Sequence, residues 1–231
     1  MLDRLAMRWL FRNGGGPSYS QCGEDRIIKF ILDTLGKRRP AYFDIGAHDP
    51  VKISNTYLFY RLGCRGVCVE PNPKLFSRLK LLRPRDICLN VGVGAKHVAR
   101  APFYELDSPA LSTFSEKDAQ RYVDNHGKNI VRVTDTPILT PQEIIDKHFH
   151  GAPDFISIDV EGLEFEILNA LDLSGDRPAV LCVETLTYST DGTGEKLTDV
   201  IDFLEQMDYM SYADTYINTI FVDRSRWLRN A

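Results

Sequence analysis

Tyr42-Phe-Asp-Ile-Gly-Ala-His48 and Phe155-Ile-Ser-Ile-Asp-Val-Glu-Gly162 are two apolar segments that each reach a carboxylate and then a glycine. A buried parallel strand has this pattern where it ends at a ligand site, since both of its faces are covered along its length. The carboxyl ends of parallel strands meet at one edge of an open α/β sheet, and ligands bind at that edge. The two segments therefore predict one site, to which both strand ends contribute.

Helical and strand patterns alternate around these two segments. Strands are expected at 41–47, 66–70, 86–93, 154–159 and 179–184, and helices at 25–35, 54–62, 72–82, 140–149, 164–171 and 195–207. Two more strands within 209–223 have no room for a helix between them, so they should form an antiparallel hairpin. The alternation predicts a doubly wound, mostly parallel α/β sheet of seven strands.

The chain divides into a short N-terminal segment, residues 1–16, and a single domain, residues 17–231, with a small insertion at about 100–137. Within the insertion, strands are expected at 102–106 and 129–134 and a helix at 116–125. Met1 to Arg12 is basic and amphipathic, so it is either a helix that packs on its own domain or one that docks on a membrane surface or a partner. Gly14-Gly-Gly-Pro17 separates it from the rest.

Composition excludes several classes of protein. The 231 residues carry a net charge of −4, without the clustered Lys and Arg of a nucleic-acid-binding surface. No apolar run approaches the roughly 20 residues of a membrane span. The five cysteines include no C-x-x-C pair, which speaks against a zinc site and favours free thiols in a reducing, cytoplasmic compartment.

The first strand end, Asp44-Ile-Gly46-Ala47-His48, has one glycine where a dinucleotide fingerprint needs three. A pyrophosphate cradle is therefore poorly supported. Asp44 can accept hydrogen bonds from a cofactor ammonium or from loop amides, and Gly46 lets a ligand approach the backbone. The alternative is that Asp44 only caps the turn that follows.

Glu70 ends the second strand, 26 residues after Asp44. A carboxylate at this position accepts the ribose hydroxyls of an adenosine cofactor and disfavours a 2′-phosphate. The alternative is a surface glutamate beside the helix that begins at Asn72-Pro73. Asn90-Val-Gly92 ends the third strand, either lining the adenine or simply forming a turn.

Carboxylates are concentrated at the fourth and fifth strand ends, where Asp159, Glu161, Glu164 and Glu184 lie. Carboxylates held close together repel, so either one is protonated or a cation lies between them. Asp159 and Glu184 are candidate Mg²⁺ ligands or candidate bases for a hydroxyl, and His48 is another candidate base. Glu164 is expected to face solvent at the first turn of a helix.

Eight short strings resemble the FkbM family of S-adenosylmethionine-dependent methyltransferases. They are Ser20-Gln-Cys-Gly-Glu-Asp25, Phe43-Asp-Ile-Gly-Ala-His48, Ser54-Asn-Thr-Tyr57, Val69-Glu-Pro-Asn72, Arg83-Pro-Arg-Asp86, Leu111-Ser-Thr-Phe114, Ile158-Asp-Val-Glu-Gly162 and Val183-Glu184. The resemblance runs from about Tyr19 to Val222. It implies a class I methyltransferase (Rossmann-like) fold and O-methylation of sugar hydroxyls in glycans, glycolipids or secondary metabolites.

The resemblance also implies roles for individual residues. Those expected to bind S-adenosylmethionine (SAM) are Gln21, Glu24, Asp44, Gly46, Ala47, Ser54, Asn55, Glu70, Pro71, Asn72, Asn90, Val91 and Asp159. Those expected to face the donor methyl or the acceptor are Asp159, Glu161 and Glu184, with His48 as a further candidate. Catechol O-methyltransferases carry metal-binding carboxylates at similar places, which is the basis for Asp159 and Glu184 as Mg²⁺ ligands.

The sequence therefore predicts a SAM-dependent O-methyltransferase that acts on a hydroxylated, sugar-containing acceptor. Two alternatives are a nicotinamide-dependent oxidoreductase and a non-catalytic scaffold domain. The acceptor pocket is expected to include Phe103 to Arg132, where Tyr104, Phe114, Tyr122 and His126 either contact a sugar or pack within the insertion.

Overall fold

The computed structural model of the chain describes residues 16–160, 162–187 and 194–230. Its strands are β1 (Tyr42–Ile45), β2 (Gly66–Val69), β3 (Ile87–Leu89), β4 (Gly92–Val93), β5 (Val98–Leu106), β6 (Ile130–Leu139), β7 (Phe155–Ile158), β8 (Val180–Glu184), β9 (Tyr209–Asp214) and β10 (Asn218–Asp223). Its helices are α1 (Glu24–Thr34), α2 (Tyr57–Arg61), α3 (Pro73–Leu82), α4 (Glu116–His126), α5 (Pro141–His148), α6 (Glu164–Asn169), α7 (Thr198–Gln206) and α8 (Arg224–Asn230), with a 3₁₀ turn at Pro109–Leu111.

Seven strands form the main sheet in the order β3-β2-β1-β7-β8-β10-β9. The first five are parallel, and β10 runs antiparallel to both of its neighbours. This confirms the predicted doubly wound sheet with a C-terminal antiparallel hairpin. The last strand in sequence lies inside the sheet, while β9 forms the edge and is parallel to the first five strands.

A second, three-stranded sheet has the order β4-β6-β5, and its strands β5 and β6 correspond to the two strands expected in the insertion. The single strand predicted at 86–93 is wrong, because β3 joins the main sheet and β4 joins the second one. The chain turns between them at Asn90, whose side-chain amide donates to the carbonyls of Glu70 and Pro71, each at 2.8 Å.

Local sequence signals set several helix ends. Asn72 caps α3 by accepting from the amides of Lys74 and Leu75, with Pro73 in the first turn. Thr140 and Glu143 form the predicted capping box of α5. The final helix, α8, was not predicted, because the hairpin pattern was the only signal found in that region.

Both faces of the main sheet are covered by apolar side chains. One core is built on Phe43, Ile45, Ile156 and Ile158, and the other on Tyr42, Phe155, Val180 and Cys182. The strands are apolar throughout because they are buried on both sides. Polar residues are therefore concentrated where the strands end, which positions the candidate site.

Residues 1–15 lie outside the described residues, so the amphipathic segment Met1–Arg12 and the boundary at residue 16 stay predictions. No helix in the described parts of the chain has both the length and the apolar character needed to cross a membrane.

Candidate functional site

Strand register places polar residues in one row along the carboxyl edge of the sheet. The last register pairs of the parallel strands are Ile45 with Val69, Ile45 with Ile158, and Ile158 with Val183. One residue further along each strand come Glu70, Gly46, Asp159 and Glu184, in that order across the edge. The row therefore has a carboxylate on each side of Gly46, and neighbouring strands lie about 4.8 Å apart.

A cavity of about 480 Å³ opens above this row, and we refer to it as the rim cavity. Its size is typical of a small-molecule site. Seven of the predicted site residues line it, namely Gln21, Gly46, His48, Glu70, Pro71, Asp159 and Glu184. The register of the sheet thus brings together the ends of β1, β2, β7 and β8 at one cavity.

Glu70 is buried at the end of β2 and holds the backbone around it. Its two carboxylate oxygens accept from the amides of His48, at 2.9 Å, and Asn72, at 2.8 Å. Burial raises the pKa of Glu70 to about 7, although the Asn72 and His48 amides oppose the shift. Each oxygen keeps a further lone pair, so the carboxylate can also accept from a ligand hydroxyl.

Gly46 is required by the close approach of β1 and β7. Its φ is +83°, and a Cβ there would lie 1.9 Å from the Asp159 carbonyl oxygen. Any side chain would force the two strand ends apart. The glycine therefore leaves a gap between the carboxylates of Glu70 and Asp159.

Asp159 and Glu184 form a carboxyl pair on the other side of that gap, joined by a side-chain hydrogen bond. Burial raises the pKa of Asp159, and the hydrogen bond to Glu184 opposes this shift. Two carboxyls can share a hydrogen bond only when one of them holds a proton.

His48 lies in the same cavity with a φ of +43°, an uncommon conformation for a residue other than glycine. Its backbone amide binds Glu70. Its ring is close enough to Asp159 to favour the ionised form of that carboxyl. His48 therefore contacts Glu70 through its backbone amide and influences the Asp159–Glu184 pair through its ring.

Asp44 belongs to a buried ionic network and is not among the residues that line the rim cavity. It accepts from the hydroxyl of Thr56, and its carboxylate lies 3.7 Å from the guanidinium of Arg83. Arg83 is fully buried and also pairs with Asp86 at 2.8 Å. Burial raises the pKa of Asp44 to about 6, against the opposing effect of Arg83.

Most of the other predicted cofactor residues lie behind the lining. Asn55 donates to Ser157 at 3.0 Å, and Ser54 accepts from the Tyr57 amide at 3.1 Å. Asn72 and Asn90 hold the backbone, as described above. Ala47 and Val91 pack against the two apolar cores. Their proposed roles stay predictions, and in this geometry they support residues that line the cavity.

Of the N-terminal pair Gln21 and Glu24, one residue lines the cavity and the other lies behind the lining. Gln21 lines the rim cavity, whereas Glu24 is fully buried at the start of α1. The carboxylate of Glu24 accepts from Thr215 at 2.6 Å and from Asn218 at 3.4 Å. It therefore fixes the turn between β9 and β10.

Glu161 lies outside the described residues. The expectation that Glu164 faces solvent is wrong: its side chain is buried, and its carboxylate accepts from the amides of Val160, at 3.1 Å, and Gly162, at 3.0 Å.

The predicted acceptor segment 103–132 contributes to the lining through Phe103, Pro109, Ala110, Ser112, Thr113 and Phe114. Several other lining residues were not predicted, namely Ile45, Ile53, Val69, Val93, Val160, Leu163, Leu186, Thr187, Tyr216 and Ile217. Gly92 is the last residue of the predicted motif Asn90-Val-Gly92, and Val93 follows it, so the motif identified the place where this part of the chain meets the cavity. Nothing local in the sequence marks Ile53 or Tyr216.

The predicted acceptor aromatics fall into two groups. Phe114 lines the rim cavity, and a Cβ on Gly92 would lie 2.4 Å from its ring. Tyr122 and His126 contact each other, and Tyr122 packs in a small core with Leu106 and Leu111. Tyr104 is not among the lining residues. Of the four, one has a place in the cavity.

The structure gives the predicted magnesium site no support. The structure brings Asp159 and Glu184 together, but within the described residues no group of three or more His, Cys, Asp or Glu side chains is arranged to hold a metal ion. Mg²⁺ takes six ligands in near-octahedral geometry. Asp159 and Glu184 alone supply fewer than six, so the described residues add nothing in favour of the predicted ligand pair.

The charge of the lining does fit SAM, which carries a sulfonium and an ammonium. Glu70, Asp159 and Glu184 line the rim cavity, and no Lys or Arg is found among its described lining residues. Such a surface attracts a cation and disfavours phosphates. The chemistry of these side chains therefore suits SAM better than a dinucleotide.

Comparison with known proteins identifies one family. The methyltransferase FkbM domain matches residues 44–210. No curated protein sequence matches the chain. Similar solved structures include an O-methyltransferase from Bacillus cereus in complex with SAH, 12% identical, over 96% of this chain and 92% of that chain, with a TM-score of 0.43. A putative caffeoyl-CoA O-methyltransferase from Staphylococcus aureus is 9% identical over 94% of this chain and 91% of that chain, with a TM-score of 0.47.

Proposed function

We propose that this chain, which belongs to the FkbM methyltransferase family, methylates a hydroxyl group of a neutral, sugar-containing acceptor. The family makes it a SAM-dependent methyltransferase, and its strand order is that of the class I, Rossmann-like methyltransferases. The proposal adds the atom that is methylated and the class of acceptor. The proposal also includes a cytoplasmic location, and it includes glycans or secondary metabolites as the molecules that carry the acceptor hydroxyl.

The observation that carries the proposal is the hydrogen-bonded carboxyl pair in the rim cavity. Methylating a hydroxyl releases its proton, which a nearby base must accept. Asp159 has a raised pKa because it is buried, so its ionised form is a stronger base than an exposed aspartate. Glu184 holds Asp159 in place by the hydrogen bond between them.

SAM, when bound, supplies a methyl group that is already electrophilic, so the chain's own residues need only bind, orient and deprotonate. In this proposal Glu70 accepts from the ribose hydroxyls, and Gly46 leaves space between the carboxylates. Gly92 and Val93 line the adenine side. Alignment of acceptor and donor is worth about 7–11 kcal/mol in well-oriented reactions.

The charge of the lining also constrains the acceptor. An anionic acceptor, such as a sugar phosphate, would bring its charge near Glu70, Asp159 and Glu184 without a described Lys or Arg in the lining to offset it. A neutral polyol meets no such repulsion, and its hydroxyls can donate to carboxylates. This supports a neutral acceptor.

Calorimetric titration of the protein with S-adenosylhomocysteine and with NAD separates the proposal from the oxidoreductase alternative. We expect S-adenosylhomocysteine to bind and NAD to bind at least tenfold more weakly, because its pyrophosphate is anionic. Tight NAD binding with no S-adenosylhomocysteine binding would contradict the proposal. Binding of S-adenosylhomocysteine without methyl transfer to any hydroxylated compound would favour the non-catalytic alternative.

A further inference from the structure

Two large apolar side chains of the rim cavity are exposed. Ile53 is 63% exposed and Tyr216 is 55% exposed, and among the exposed large apolar side chains of the described residues these two line the cavity. Exposed apolar side chains that are grouped at a cavity often mark a binding surface. Neither residue has a role in the chemistry described so far.

Both residues also have an unfavourable backbone conformation. The φ of Ile53 is +54° and that of Tyr216 is +78°. A β-branched residue at positive φ is an outlier, and each such conformation costs about 1–3 kcal/mol. His48, with a φ of +43°, lines the same cavity, whereas Asp208, with a φ of +60°, is not part of its lining. Strain in the described backbone is therefore concentrated at the cavity.

The turn that carries Tyr216 is held from three directions. Its own amide donates to Asp214 at 2.7 Å, and Asp214 is paired with Lys196 at 2.7 Å. The preceding residue, Thr215, donates to the buried carboxylate of Glu24 at 2.6 Å. These bonds fix the backbone of Tyr216 and leave its ring exposed at the cavity.

The loop that carries Ile53 is held in a comparable way. Asp49 accepts from the amides of Val51 and Lys52, each at 2.9 Å, and pairs with Arg78 at 3.1 Å. The amide of Ser54 donates to the carbonyl of Tyr19 at 2.9 Å. Bonds on both sides of Ile53 thus keep its side chain in the lining at the cost of an unfavourable φ.

We propose that Ile53 and Tyr216 form an acceptor platform, which binds the apolar face of a neutral sugar ring and turns one hydroxyl toward Asp159 and Glu184. This inference rests on the proposed function and names the residues that select its acceptor. A sugar ring presents C–H groups on one face and hydroxyls at its edge, so it matches an aromatic and aliphatic surface beside carboxyls.

The charges near the platform agree with a neutral ring. Lys196 has its Nζ 5.9 Å from the centroid of the Tyr216 ring, and it is already paired with Asp214. It therefore offers little to a phosphate. The acidic side chains of the described lining are Glu70, Asp159 and Glu184, and Lys196 is not part of the lining.

The test uses a panel of neutral p-nitrophenyl hexosides and their 6-phosphates, with formation of S-adenosylhomocysteine as the measure of methyl transfer. The wild-type protein should accept at least one neutral hexoside and none of the phosphates. For that hexoside, Tyr216→Ala should raise KM roughly tenfold, as expected for the loss of one apolar contact surface. The Kd of S-adenosylhomocysteine should change less than twofold.

Further variants separate binding from folding. Ile53→Gly removes the side chain and relieves the strained φ, so we expect a raised KM without loss of stability. Tyr216→Phe keeps the ring and should restore most of the affinity that Tyr216→Ala loses. Asp208→Gly relieves a similar φ away from the cavity, and Leu81→Ala removes an exposed apolar side chain elsewhere; both should keep the wild-type KM.

Three results would overturn the acceptor platform. They are an unchanged KM in both Ile53→Gly and Tyr216→Ala, a loss of S-adenosylhomocysteine affinity as large as the rise in KM, and wild-type activity on the phosphates alone. Failure of the proposed function is distinct, because it would appear as absent S-adenosylhomocysteine binding or as no methyl transfer to any hydroxylated compound by the wild-type protein.

Discussion

The ends of β1 and β7 look alike in the sequence but do different things in the structure. Each contributes an aspartate shortly before a glycine. Asp44 is tied to Thr56 and Arg83 behind the cavity, whereas Asp159 is paired with Glu184 inside it. One aspartate has a cation beside it, and the other has a second carboxyl.

Strand register explains the difference. Asp44 is level with Ser157, and Asp159 is level with Gly46. Asp159 therefore lies two residues further along the sheet than Asp44, which is about 7 Å at 3.3 Å per residue. That distance separates a position within the sheet from one at the ligand-binding edge. An aspartate needs to be just beyond the last strand pair to serve a cavity.

The largest expected effect is that of Asp159→Asn, which tests the cavity side of this comparison. Asparagine keeps the size of the side chain and can still donate to Glu184, but it cannot take a proton from the acceptor. We expect kcat to fall by about 10²–10⁴-fold, the usual contribution of a general base. Methyl transfer to the best neutral hexoside and S-adenosylhomocysteine binding are the measurements.

The matched expectation is that Asp159→Asn leaves the Kd of S-adenosylhomocysteine within about threefold of wild type and does not lower the free energy of unfolding. The amide of the asparagine can still donate to the Glu184 carboxylate, so the hydrogen bond between the two side chains, and with it the stability, should be kept. A variant that retains more than a tenth of wild-type turnover would remove Asp159 from the chemistry and make the two aspartates equivalent.

The next largest effect is that of Arg83→Leu, which tests the buried side. The substitution leaves the carboxylates of Asp44 and Asp86 without their guanidinium partner in a fully buried position. Breaking a buried ion pair in this way costs about 3–5 kcal/mol. Urea denaturation should show the loss as a lower transition midpoint.

The control for that variant is Arg121→Leu. Arg121 forms an exposed ion pair with Asp118 on α4, and such pairs contribute about 0–1 kcal/mol. Equal destabilisation by the two substitutions would mean that the Asp44 network contributes nothing beyond a surface pair. The distinction between a structural and a chemical aspartate would then lose its physical basis.

Much of the fold could be predicted because its signals are local. The apolar strands, the Asn72 cap and the capping box at Thr140 each depend on a few adjacent residues, and the structure contains all of them. One region depends on distant contacts and was predicted less well. The break between β3 and β4 needs the bonds of Asn90 to Glu70 and Pro71, about 20 residues away.

The sequence predicted which strand ends meet at the site, but it did not predict which of their residues line the cavity and which lie behind the lining. Sequence patterns identified Glu70, Asp159 and Glu184 because each carboxylate ends an apolar run. The same patterns do not show that Asp44 and Glu24 lie behind the cavity lining. The position of Asp44 depends on Arg83, 39 residues later, and that of Glu24 depends on Thr215, 191 residues later. The acceptor platform was missed for the same reason, because long-range bonds hold the turn of Tyr216.

The smallest of the three effects is a pH dependence of SAM binding at Glu70. It tests whether Glu70 acts on SAM binding separately from the Asp159–Glu184 pair. Burial raises the pKa of Glu70 to about 7. Cationic SAM and its ribose hydroxyls favour the ionised carboxylate, so binding should release a proton. Affinity is then full above pH 7 and weakens as the pH falls through that value, by about tenfold between pH 8 and pH 6.

Calorimetry with SAM across this pH range measures the effect, and Glu70→Gln is the control that removes the titrating group. The variant should bind SAM about 10–100-fold more weakly at pH 8, as expected for a lost charged hydrogen bond, and its affinity should be flat from pH 8 to pH 6. A dependence that persists in Glu70→Gln above pH 6 would belong to another group. Asp159 would then be the first candidate for that group. The carboxyl proposed as the base would in that case also control SAM binding, so donor binding and proton removal would depend on the same side chain.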